Sequence, residues 1–215
     1  MFGKDKSSKL IAEFLGTAIL TTAIYSMSIR TTFPFFYAAA AGLTVGLLIL
    51  VLGSVSGAHF NPAVTIGNWT IKKIDTAQAL VYIAAQLLGG LAAWKLMEYL
   101  VGTPLNSIAG KNIDYKIMVA EGIGALIFGL GIAAATMKAY DESQKAVIIG
   151  TSLFVGCIIA AFASNGILNP AVALGVRSVS VSYMVAPIIG VVLGMNLYKE
   201  IFSGQKAKTK KSNKK

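Results

Sequence analysis

The 215 residues are 55% hydrophobic and only 13% charged, with a mean hydropathy of +0.70. A soluble domain of this length needs a large charged surface; this composition excludes one, so the chain's solvent is mostly lipid. The net charge of +10 sits largely in a C-terminal tail and short loops and gives no ground for nucleic-acid binding, while a single cysteine excludes an intrachain disulfide framework.

Six apolar runs are long enough to cross a bilayer. The first, Ser8–Ile29, carries Glu13. It is too long for a signal-peptide core and lacks a small-residue cleavage site, so it is expected to stay. Phe35–Leu52 follows, then the stretch SGAHFNPAV from Ser56 to Val64. The third and fourth spans are Thr76–Tyr99 and Tyr115–Met137, the latter with Glu121. The fifth, Ala146–Phe162, is the shortest; SNGILNPAV (Ser164–Val172) comes next, and Ser182–Ile201 closes the series. With both termini cytoplasmic, 14 of the 19 basic residues lie inside, as the positive-inside rule requires. The tail SGQKAKTKKSNKK could touch anionic headgroups, but a disordered, solubilising, positive-inside segment over 202–215 is the favoured reading. The NWT sequon at Asn68–Thr70 falls on the expected inner side and is discounted.

The chain repeats itself. AEFLGTAIL begins at Ala12 and AEGIGALIF at Ala120, and Asn61 and Asn169 share the same offset of 108. Residues 8–107 and 108–201 are thus two copies within one membrane domain. Three spans per copy is an odd number, so the second enters the membrane from the opposite side, and sites in inverted repeats lie near the midplane where the halves meet.

Asn is a favoured helix N-cap and Pro suits the first helical position, so Asn61-Pro62-Ala63 and Asn169-Pro170-Ala171 each read as a helix start. Asn61–Thr70 and Asn169–Val176 leave room for about 8 to 10 residues, roughly half the hydrocarbon thickness. The Gly and Ser upstream suit non-helical backbone, which survives at membrane depth only when packed in protein or lining a wet cavity. Two positive helix ends would then face each other at the midplane and repel cations. Each Asn carbonyl capping its own helix leaves the amide N–H₂ free to point into the lumen. The carbonyls of Gly57, Ala58 and His59, and of Asn165, Gly166 and Ile167, offer a ladder of acceptors. The fold expected is an all-α membrane protein of six transmembrane helices plus two re-entrant half-helices.

The paired NPA boxes and the duplicated glutamates, over about Lys9 to Ile201, resemble the major intrinsic protein family of aquaporins and aquaglyceroporins. The resemblance implies a pore through each subunit of a homotetramer in the cell membrane. It also implies that Glu13 and Glu121 accept hydrogen bonds from the re-entrant loops, a scaffolding role favoured over a proton relay. At His59 it implies a tether for the first loop, which outweighs a pH gate. By the family's spacing the filter falls on Ala41, Cys157, Gly166 and Val172. Here the chain departs from the pattern: most relatives have Arg directly after the second box, and aromatic or His residues at the other positions. Four small side chains predict a wide, apolar filter lacking one fixed positive charge. Cys157 reads either as pore-lining or as a small buried side chain, and Arg177 either as a charge at the outer mouth or, preferably, as a loop-pairing residue.

The sequence holds no clustered metal ligands and no nucleophile–base pair. The expectation is therefore no enzyme, no metal and no cofactor, but a passive channel for water or small neutral solutes such as glycerol, urea or ammonia. A secondary transporter is the competing class, since broken midplane helices are also its hallmark. A non-conducting structural relative is the third.

Overall fold

The computed structural model describes residues 4–107 and 112–203; most of the basic tail, residues 204–215, lies outside them. The described residues form eight helices: α1 (Lys4–Ser28), α2 (Pro34–Ser56), α3 (Pro62–Thr70), α4 (Thr76–Val101), α5 (Tyr115–Met137), α6 (Glu142–Ala160), α7 (Pro170–Gly175) and α8 (Val181–Phe202). Six are long and apolar enough to span a membrane, and α3 and α7 are the two short ones. The chain is an integral membrane protein. Side chains such as Leu43 and Leu80, 75% and 64% exposed, face outward, where lipid removes the penalty that water would impose.

Several ends differ from expectation for local reasons. α6 begins four residues before Ala146, because Asp141 and Gln144 form a reciprocal capping box that supplies the unpaired N–H groups of its first turn. α7 stops at Gly175, short of the expected Val176. Arg177 adopts a left-handed φ of 61° and the Ser178 N–H donates to the Ala173 carbonyl at 2.8 Å, which is a Schellman ending. α3 ends in the same way, with Lys72 at φ 64° and the Lys73 N–H on the Asn68 carbonyl at 2.9 Å. In both, a basic residue occupies the position usually given to glycine, at the negative end of the helix dipole.

The packing follows the repeat. α1 contacts α2 and α4 as α5 contacts α6 and α8, and α2 and α6 pack on each other. The half-helices are exchanged: α3 lies on α8 and α7 on α4. Gly90 makes the second contact possible, because a Cβ there would strike the Ala171 carbonyl oxygen. Each short helix is therefore anchored to the opposite repeat, and both start near the centre of the molecule. Asn68 of the sequon is buried within α3, donating to the Val64 carbonyl.

Candidate functional site: the midplane junction and its lumen

Asn61 and Asn169 both have extended backbones, with φ of −157° and −150°. The Asn61 Oδ1 accepts from the Ala63 N–H at 2.8 Å, and the Asn169 Oδ1 from the N–H groups of Ala171 and Val172 at 2.9 and 3.3 Å. The amides then cross over. Asn61 Nδ2 donates to the Leu168 carbonyl and Asn169 Nδ2 to the Phe60 carbonyl, each at 2.9 Å. An amide carries two N–H donors, so this corrects the expectation of a wholly free N–H₂: one donor of each Asn ties the loops together.

The loops leading to these caps are held in costly conformations. Phe60 and Leu168, repeat mates, have φ of 49° and 53°, and Ala58 has 54°; such backbone persists only where the surroundings impose it. Buried glutamates do so. Glu13 Oε1 accepts from Ser56 Oγ at 2.6 Å and the His59 N–H at 3.0 Å, and Oε2 from the Phe60 N–H at 2.7 Å. Glu121 repeats the pattern on Ser164 Oγ at 2.7 Å, the Ile167 N–H at 3.0 Å and the Leu168 N–H at 2.7 Å. Both are 0% exposed. The geometry is that of a loop scaffold.

The two supports differ in one respect that repeat reasoning missed. Gln86 Nε2 donates to Glu13 Oε2 at 2.7 Å and to Thr65 Oγ1 at 2.8 Å, and Thr65 Oγ1 lies 3.1 Å from His59 Nδ1. The ring of His59 also meets Tyr82 edge-on, so its side chain is tethered within this network. The second half has Gly194 and Ala173 where the first has Gln86 and Thr65. A glutamine inside an apolar span was the signal available.

Two cavities flank the second loop. The face bearing the start of α1 and the end of α8 is here the terminal face. On the opposite, distal face a vestibule of about 600 Å³ is lined by hydroxyl and amide side chains, among them Thr31, Tyr37, Asn106 and Asn165, and by Ile24, Ile167 and Val176. At the midplane a cavity of only about 10 Å³ is lined by the polar side chains of Asn61, Asn169 and His59 and by Leu20, Ile24, Val45, Phe128, Leu153, Ile167 and Val172. The volume is near the minimum for one water.

Of the four filter positions, Val172 lines the midplane cavity; Ala41, Cys157 and Gly166 are buried and line neither cavity. Gly166 has φ 59° and sits so close to α6 that a Cβ would meet the Cys157 carbonyl oxygen. One turn nearer the terminal face, bulkier neighbours on the same helices, Val45 and Leu153, line the midplane cavity. Among the expected acceptor positions, His59 and Ile167 line the midplane cavity and Asn165 the vestibule, whereas Gly57 and Ala58 line neither. Cys157 is 1% exposed. A mercurial is accordingly expected to leave solute flux unchanged in the native protein and in Cys157→Ser alike; inhibition that vanishes in the serine variant would put the thiol in the lumen. Arg177 lines neither cavity either. Its guanidinium stacks on the ring of Trp94 in α4 at 4.3 Å, a contact with a spanning helix and not with another loop.

A membrane protein of inverted repeats, with two asparagine-capped half-helices meeting at a narrow central cavity, has the architecture of the proteins that carry solutes across membranes. The family model for the major intrinsic protein matches residues 3–198, and the chain belongs to that family, whose members are channels and not enzymes. It is 32% identical to aquaporin NIP1-1 of Oryza sativa subsp. japonica, over 88% of this chain and 72% of that protein. It is 29% identical to aquaporin Z of Photorhabdus laumondii, over 91% and 97%. The X-ray structure of the aquaglyceroporin from Plasmodium falciparum superposes with a TM-score of 0.72 at 23% identity, covering 91% of this chain and 96% of that one, a likeness of fold.

Proposed function

We propose that the protein is a passive, bidirectional channel for water and small neutral solutes, ammonia, urea and glycerol being the candidates. The reading is carried by the midplane cavity, whose lining joins the amides of Asn61 and Asn169 to seven apolar side chains. A neutral molecule exchanges hydrogen bonds there in single file, while a cation meets two positive helix ends. Water and ammonia suit the observed volume of about 10 Å³; urea and glycerol require the apolar wall to yield. The proposal places the terminal face on the cytoplasmic side of the cell membrane, where most lysines lie, and the chain in the homotetramer that its family resemblance implies.

The test is stopped-flow light scattering on proteoliposomes holding the full chain. Water, ammonia, urea and glycerol are compared, with an imposed proton gradient as control. Permeability above empty liposomes, unsaturated and indifferent to the gradient, is the expected result. Background rates for every solute would overturn the channel reading, and flux that follows the proton gradient would make the protein a coupled transporter.

A further inference from the structure

The distal vestibule and the midplane cavity share two lining residues, Ile24 of α1 and Ile167 of the second re-entrant loop. Both are nearly buried, at 9% and 5% exposure. They stand between a vestibule with hydroxyl and amide groups on one side and the Asn61 and Asn169 donors on the other. The Ile167 backbone is fixed, because its N–H donates to Glu121 at 3.0 Å. Its repeat mate is His59, which also lines the midplane cavity. The pseudo-symmetric site thus carries an imidazole in the first half and an aliphatic side chain in the second.

We infer that Ile24 and Ile167 form an apolar collar that sets which solutes pass, in place of the four positions carried over from the family pattern. The inference rests on the channel reading above. At the collar neither side chain can replace a solute's lost water, so passage is governed by the cost of desolvation. That cost is modest for a neutral molecule and very large for an ion. Hydrophobic constrictions of this kind act by dewetting. The collar accounts for how a chain with Val172 in place of the usual arginine could still reject protons and cations. It also favours weakly hydrated neutral solutes over strongly hydrated ones of equal size.

The experiment uses the full chain in proteoliposomes and compares wild type with Ile24→Ser, Ile167→Ser, Ile167→Val and Val172→Ala. Water permeability and proton leak, the latter from an entrapped pH dye, are read on the same vesicles. Each serine variant is expected to raise water permeability by roughly tenfold, the change that about 1.4 kcal/mol off a barrier gives, and to admit a proton leak. Ile167→Val should fall between wild type and Ile167→Ser; being the mildest change, it keeps the test informative should a serine variant fail to fold. Serine variants that fold and match wild type in both readouts overturn the collar. So does Val172→Ala producing the larger change, which would return selectivity to the carried-over filter. Wild type and all variants at the rate of empty vesicles would overturn the channel reading itself.

Discussion

Glu121→Leu is expected to abolish the folded protein, or to leave it without the second re-entrant loop. The leucine removes both acceptor oxygens from a site where Ser164 Oγ and the N–H groups of Ile167 and Leu168 converge. Ser164 Oγ keeps the Ala160 carbonyl at 2.9 Å, but each of the two buried N–H groups left unpaired costs about 1–3 kcal/mol, a large share of the whole stability of an ordinary domain, about 5–15 kcal/mol. The left-handed backbone at Leu168 loses its restraint at the same time. Glu121→Gln should be milder, because it keeps one carbonyl acceptor while turning an N–H₂ towards groups that are themselves donors. Thermal unfolding in detergent and elution as a single species would rank wild type above Gln above Leu. A well-folded, conducting Glu121→Leu protein would show that the loop is held by something else. Glu13→Leu should be at least as severe, since Gln86 also loses a partner.

Val172→Arg is expected to reduce flux of every solute that the native protein passes, most for the largest. Val172 is 0% exposed and borders a midplane cavity of about 10 Å³, so a guanidinium there must enter the lumen or displace its wall. It would also stand on the first turn of α7, where the helix dipole opposes a cation. Proteoliposome rates for water and glycerol measure the effect. Unchanged rates in a folded variant would mean that the permeation path does not run beside Val172.

Much of this architecture was legible in the residues. The offset of 108 between Asn61 and Asn169, together with three spans per copy, forces the inversion, and Asn-Pro marks a helix start by its own chemistry. The glutamates drew notice because a carboxylate inside an apolar span demands partners; the donors it found are the loop N–H groups. What the residues could not supply was depth. Ala41 and Val45 on α2, and Cys157 and Leu153 on α6, share a helix face one turn apart, and which of each pair meets the lumen depends on helix tilt and on how closely neighbouring helices approach. Counting residues from an asparagine is blind to both. Ile24 carried no signal at all, being one aliphatic residue among many in α1. Only the manner of α7's ending was hidden: Arg177 in a left-handed conformation has no sequence signature like that of glycine.

The crossed bonds from Asn61 to Leu168 and from Asn169 to Phe60 have a mechanical consequence. Neither half-helix can withdraw from the centre without unfastening the other, so the middle of the molecule behaves as a single rivet joining the two repeats. A rocking movement that exposed the centre first to one compartment and then to the other would have to shear that rivet on every cycle. Such a fastening suits the passive channel proposed above, in which only the concentrations on the two sides decide which way molecules drift.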